Sequence, residues 1–90
     1  ALADEMDADG CVRDVRRQNY IKTHLDAVHR AIQDGAPLTG YLVWSFMDNF
    51  EWACGYRPRF GLVHVDYQTQ KRTIKESARW FGKTIEKNGW

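Results

Sequence analysis

One run constrains this chain more than any other: Tyr41-Leu42-Val43-Trp44-Ser45-Phe46-Met47-Asp48-Asn49-Phe50-Glu51-Trp52. From Tyr41 to Phe46 every side chain but Ser45 is apolar or aromatic. The polar alternation of a strand that faces water on one side is missing. A strand covered on both faces is the expectation, as in a parallel sheet with helices packed outside it, so the fold class read here is α/β. Asp48, Asn49 and Glu51 then break the run within a few residues. In parallel α/β folds the chemistry sits where strands end and loops begin.

The flanking pattern agrees with an α/β unit. Asp14 reads as an N-cap, and Ile21, Leu25, Val28 and Ile32 follow at helical spacing. Gly35 stops that helix and Pro37 prevents its resumption. After Trp52 an exposed loop is expected up to Phe60-Gly61, then a short strand over Leu62 to Tyr67 and a small hairpin closing near Lys71-Arg72. Thr73 and Glu76 have the spacing of a capping box, and Ile74, Ala78, Phe81 and Ile85 continue a second helix to about Lys87. Asn88-Gly89 is its stop signal. The expected order is helix, strand, long loop with hairpin, helix. The acidic stretch from Ala1 to Val12 reads as a loop with a turn at Asp9-Gly10.

Composition excludes several function classes. Thirteen basic residues against 12 acidic ones leave a formal charge of +1, too balanced for a nucleic-acid surface. No apolar run is long enough to span a membrane. Cys11 and Cys54 show no metal-binding spacing and make no disulfide framework, and the acidic N-terminal spacing is not that of a calcium loop. Neither metal nor cofactor is therefore expected, and two reduced thiols suggest a cytoplasmic protein. His24 and His29 read as structural or surface residues. The unusual figure is four Trp, four Tyr and four Phe in 90 residues, at least half of them between Tyr41 and Phe60. One strand and one loop carry more aromatic surface than the rest of the chain can cover.

Glu51 lies between Phe50 and Trp52, where a carboxylate is partly desolvated and requires donors. A charged acceptor beside indole faces suits a pyranose. The carboxylate takes adjacent hydroxyls, an indole covers the C–H face, and an indole N–H donates to a further hydroxyl. On the residues alone an equal alternative is that Glu51 pairs with Arg57 or Arg59 and the tryptophans are core.

The motif Val43-Trp44-Ser45-Phe46-Met47-Asp48-Asn49-Phe50-Glu51-Trp52, with Gly55-Tyr56, Arg59-Phe60-Gly61-Leu62, Val65-Asp66-Tyr67 and Lys71-Arg72-Thr73 after it, resembles the C-terminal end of glycoside hydrolase family 1 enzymes. That family contains β-glucosidases, β-galactosidases and 6-phospho-glycosidases. Asn19-Tyr20-Ile21, His24-Leu25, Ala27-Val28 and Gly40-Tyr41 extend the likeness over nearly the whole chain. The resemblance implies the C-terminal part of a (β/α)₈ barrel: helix seven, strand eight at Tyr41 to Phe46, a hairpin-bearing loop, and helix eight at Ile74 to Lys87. Residues 1–90 would then be one piece of a single barrel domain, incomplete as a fold on its own and dependent on the rest of the barrel. It also implies substrate-binding roles. Trp44 lies beneath the sugar ring, Glu51 accepts the 4- and 6-hydroxyls, Trp52 donates to the 3-hydroxyl, and Phe60 walls the 6-position. A non-proline cis peptide between Trp44 and Ser45 is a further family trait.

Family enzymes hydrolyse with retention, using one Glu as nucleophile and another as acid and base. Their Asn-Glu-Pro and Glu-Asn-Gly motifs do not occur in these 90 residues, so no catalytic residue is assigned. Glu86-Lys87-Asn88-Gly89 has the wrong spacing, whereas Ala1 to Glu5 is similar to the stretch after the nucleophile. The expected function is the glycone-binding part of a retaining β-glucosidase acting on small β-glucosides or oligosaccharides, inactive by itself. A carboxylate at the 6-position repels a phosphate, which favours unphosphorylated sugars. The other readings are a small non-catalytic carbohydrate-binding module built on Trp44, Trp52 and Glu51, and a structural domain with an aromatic patch.

Overall fold

The computed structural model describes residues 4–90; the part of the N-terminal loop expectation, and of the likeness at Ala1 to Glu5, that falls on residues 1–3 lies outside them. Helix α1 spans Val15–Gln33, a 3₁₀ turn spans Trp52–Cys54, strands β1 and β2 span Val63–Val65 and Arg72–Ile74, and helix α2 spans Glu76–Lys87. The strands form an antiparallel hairpin with Val63 opposite Ile74 and Val65 opposite Arg72. The body is a slab, 18 Å through its thinnest axis.

Local chemistry explains most boundaries. At the end of α1, Gly35 takes a φ of +97°, its N–H donates to the Ile32 carbonyl at 3.0 Å, and the Ala36 N–H reaches back to Ala31 at 2.9 Å. This is a Schellman stop, and glycine adopts its left-handed residue without steric penalty. Asn88 ends α2 in the same way at φ +52°, with the Gly89 N–H on the Thr84 carbonyl at 3.1 Å. Between the strands, the Asp66 carboxylate accepts the N–H groups of Gln68 and Thr69, which closes the turn. The Asp9-Gly10 turn forms as expected, with the Asp7 carboxylate on the N–H groups of Asp9 and Cys11.

Two expectations are corrected. The capping box at Thr73 and Glu76 does not form: Thr73 pairs with His64 in the hairpin, and Lys75 holds the N-cap position of α2. Strand pairing takes Thr73 because β1 offers it backbone partners, and α2 starts two residues later than Ile74. Along α2, Ser77 and Thr84 are buried and Ile85 is exposed, and Ile74, the last residue of β2, is exposed as well.

The expected core strand at Tyr41 to Phe46 is extended but belongs to no sheet among the described residues. Its ladder is limited to its C-terminal end, where Leu62 and Val63 donate to the carbonyls of Ser45 and Phe46 at 2.9 Å and Met47 bridges Val63 in parallel. Nor is it covered on both faces. Tyr41, Val43 and Ser45 are the less exposed side of the run, and Tyr41 meets Phe81 of α2 edge-on at 6.4 Å. Leu42, Trp44 and Phe46 are 96%, 80% and 70% exposed. Strand side chains alternate between faces, so one face of the run packs and the other is left to water. The core of the slab is Val12, Ile21, Leu25, Phe60, Val63 and Val65.

Candidate functional site

The exposed row leads directly into the polar end of the motif. The peptide bond from Trp44 to Ser45 is cis, as the family resemblance implies. Beyond it the chain folds onto itself: the Ser45 hydroxyl donates to the Met47 carbonyl at 2.8 Å, and the Asn49 amide nitrogen donates to both Ser45 Oγ and the Met47 carbonyl at 2.8 Å. These bonds link the residue after Trp44 to the residue two before Glu51.

Glu51 opens a tight loop. Its N–H donates to the Gly55 carbonyl at 2.7 Å and its carbonyl accepts the Cys54 N–H at 2.8 Å. Trp52 and Gly55 both take positive φ values, +44° and +66°, which turns the chain sharply and leaves Trp52 82% exposed. The outer side of this loop is braced by rings: Phe50 to Tyr56 at 5.3 Å, Tyr56 to Tyr67 at 4.9 Å, and the Arg59 guanidinium 4.1 Å above Tyr67.

The alternative partner for Glu51 is not used. Arg59 donates to the Val65 carbonyl and lies 3.7 Å from Asp48, and Glu51 has no ion pair or side-chain hydrogen bond among the described residues. Its carboxylate is half-buried and free to accept. Trp44 and Phe60 line one cavity of about 450 Å³ between α1 and the extended run; Glu51 and Trp52 are not on its wall. Phe60 is 6% exposed and belongs to the core of the slab.

Asp48 is the carboxylate nearest to Glu51 in sequence, and its chemistry is different. It is buried, with Oδ1 accepting from the Gly61 N–H at 3.0 Å and Lys75 Nζ at 2.9 Å, and Oδ2 accepting from the Val65 N–H at 3.2 Å. An acceptor so fully engaged is an anchor, not a base. It belongs to a buried cluster of three acids, Asp4, Asp14 and Asp48, and three cations, Arg17, Arg59 and Lys75. Sequence reasoning missed this cluster. The available signal was a carboxylate inside an aromatic run, which must find a cation. A free acceptor with the exposed indole of Trp52 next to it in the chain can bind a polyol, but no second free carboxylate lies across from Glu51 among the described residues with which to cleave one.

The family model for glycosyl hydrolase family 1 matches residues 1–90. The 1,4-beta-D-glucan glucohydrolase of Thermotoga neapolitana is 54% identical over 89 residues, covering 99% of this chain and 20% of its own length. Beta-glucosidase A of Thermotoga maritima is 51% identical over 89 residues with the same coverage. The solved structure of a Thermotoga maritima β-glucosidase in complex with glucoimidazole superimposes with a TM-score of 0.97 at 50% identity, covering all of this chain and 20% of the other. The chain thus spans about one fifth of the length of the relatives it matches.

Proposed function

The chain belongs to glycosyl hydrolase family 1, and from that premise we propose that it is the glycone-binding part of a retaining β-glucosidase that releases terminal non-reducing β-D-glucosyl residues. In this reading α1 is helix seven, Tyr41 to Phe46 is strand eight and α2 is helix eight of a (β/α)₈ barrel. The outward row of Leu42, Trp44 and Phe46 then turns to the barrel interior, where side chains of neighbouring strands pack in layers. The hydrolytic carboxylates come from the barrel's other strands. Two free thiols, Cys11 and Cys54, are in keeping with a cytoplasmic enzyme.

The observation that carries the reading is Glu51. It sits between aromatic side chains, with an open indole next to it, and has no protein donor for its carboxylate among the described residues. A ligand rich in hydroxyls supplies those donors. Trp44 offers the floor for the ring, Trp52 Nε1–H a donor for the 3-hydroxyl, and Phe60 backs the wall at the 6-position. A related enzyme was solved with glucoimidazole, which is consistent with a glucose-shaped glycone here.

The test is Glu51→Ala in the full-length enzyme. Two charge-assisted hydrogen bonds are worth about 3–4 kcal/mol, so kcat/KM for an aryl β-glucoside should fall by about 10²–10³-fold with an unchanged urea midpoint. Undiminished hydrolysis would refute the assignment.

A further inference from the structure

We propose that Lys75 is a positioning residue for sugar recognition, holding the two arms of the glycone site, Trp44 and Glu51, in register from beneath; the proposal rests on the role given to Glu51 above. Lys75 is 24 residues from Glu51 and outside the aromatic motif. It is 0% exposed, and its ammonium group has an acceptor for each of its three protons: Asp4 Oδ2 at 2.6 Å, Asp48 Oδ1 at 2.9 Å and the Arg59 carbonyl at 3.1 Å.

Both arms of the site trace back to it. Its side chain holds Asp48, which begins the turn into Asn49, Phe50 and Glu51. Its backbone N–H donates to the Leu62 carbonyl at 3.1 Å, while the Leu62 N–H donates to the carbonyl of Ser45, the residue after Trp44, at 2.9 Å. The same lysine thus braces the Trp44 arm through its main chain and the Glu51 arm through its side chain. Stability alone does not call for an ion here, because an apolar core of equal volume is often as stable as a buried ion pair. A directional, three-way bond does fix where Asp48 sits, and a displacement of about 1 Å at a reacting site can cost about 10²-fold in rate.

The experiment is Lys75→Met in the full-length enzyme, with Glu51→Ala in parallel. Each is assayed on an aryl β-glucoside and on the aryl β-xyloside, which lacks the hydroxymethyl group and so offers Glu51 no 6-hydroxyl. The readout is the ratio of the two kcat/KM values, which a loss of folded molecules cannot change. Lys75→Met should lower the glucoside-to-xyloside ratio about tenfold, in the same direction as Glu51→Ala. A ratio unchanged in Lys75→Met but lowered in Glu51→Ala would overturn the proposal and leave the role of Glu51 standing. A ratio unchanged in Glu51→Ala would remove the premise and the proposal together. If Lys75→Met does not accumulate as folded enzyme, Asp48→Asn weakens the same contact from the other side. A lowered ratio in that variant supports the proposal, and an unchanged one overturns it.

Discussion

The carboxylate of Asp14 caps a helix to which it does not belong. Asp14 stands at the N-cap of α1, but its Oδ1 accepts the backbone N–H of Ser77 in α2 at 2.8 Å, 63 residues away, and its Oδ2 accepts the Ser77 hydroxyl at 2.5 Å. The same oxygen meets Arg17 Nη1 at 2.8 Å. One side chain therefore shares a buried guanidinium with Asp4, fills an open donor in the first turn of α2, and locks the two helices together.

Asp14→Ala removes all three contacts at once. Arg17 keeps its pair with Asp4, so the loss is mainly that of two buried hydrogen bonds to a carboxylate, about 3 kcal/mol, and the urea midpoint of the full-length enzyme should fall accordingly. Asp14→Asn retains an acceptor for Ser77 and should lose less. Equal midpoints for Asp14→Ala and the wild type would show that the cap is energetically idle.

Gly61 is required by contact and not by backbone angle. A Cβ built there would lie 2.2 Å from the Met47 carbonyl carbon and 2.4 Å from the Asp48 nitrogen, both main-chain atoms that have nowhere to retreat. Gly61→Ala should therefore destabilise by about 3 kcal/mol and disturb the bond from its own N–H to Asp48. On the role proposed for Asp48, sugar affinity of the full-length enzyme should fall with stability. A variant as stable and as active as the parent would contradict the close approach.

His64 supplies a pH dependence. Burial is the main cause holding its imidazole below the ordinary 6.5; the nearby Arg59 and Lys75 add to the effect, whereas Asp48 and Asp66 oppose it. Its Nδ1 has no hydrogen-bond partner among the described residues. The unfolded chain takes up this proton at a higher pH than the folded one. The histidine's contribution is thus complete above about pH 6.5 and is lost as pH falls through the lower, folded value. Urea midpoints measured from pH 7.5 down to 5 should decline less steeply in His64→Gln than in the wild type. Parallel slopes would mean that another group governs the decline.

The 90-residue chain expressed alone should bind a hydrophobic dye, self-associate in sedimentation, and give no turnover of an aryl β-glucoside. Leu42, Trp44 and Phe46 form one uncovered apolar row, and an exposed extended segment with free backbone groups is a template for pairing. A monodisperse, dye-silent monomer with a sharp thermal transition would contradict this.

Much of the local structure was legible in residue order. Asp14 and Gly35 bound α1 to within a residue, because a helix end requires particular chemistry where its backbone groups run out of partners. The hairpin and the Asn88 stop were legible for the same reason. The Trp-Ser-x-x-Asp-Asn-Phe-Glu-Trp motif was specific enough to identify the family by itself, since its spacing is set by a single continuous loop. Thr73 misled, because a capping box and a strand pair compete for the same residues and only the partner strand decides between them.

Residue order by itself thus determined the helices, the turns and the motif that marks the family, all of which depend on neighbours within a few positions. Tertiary structure alone decided which face of Tyr41 to Phe46 is covered, that Glu51 has no partner from Arg57 or Arg59, and that Lys75 meets Asp4 across 71 residues. The physical reason is range. Capping and turn formation are satisfied by adjacent backbone groups, whereas a buried charge must be met by whichever distant opposite charge the packing brings within about 3 Å.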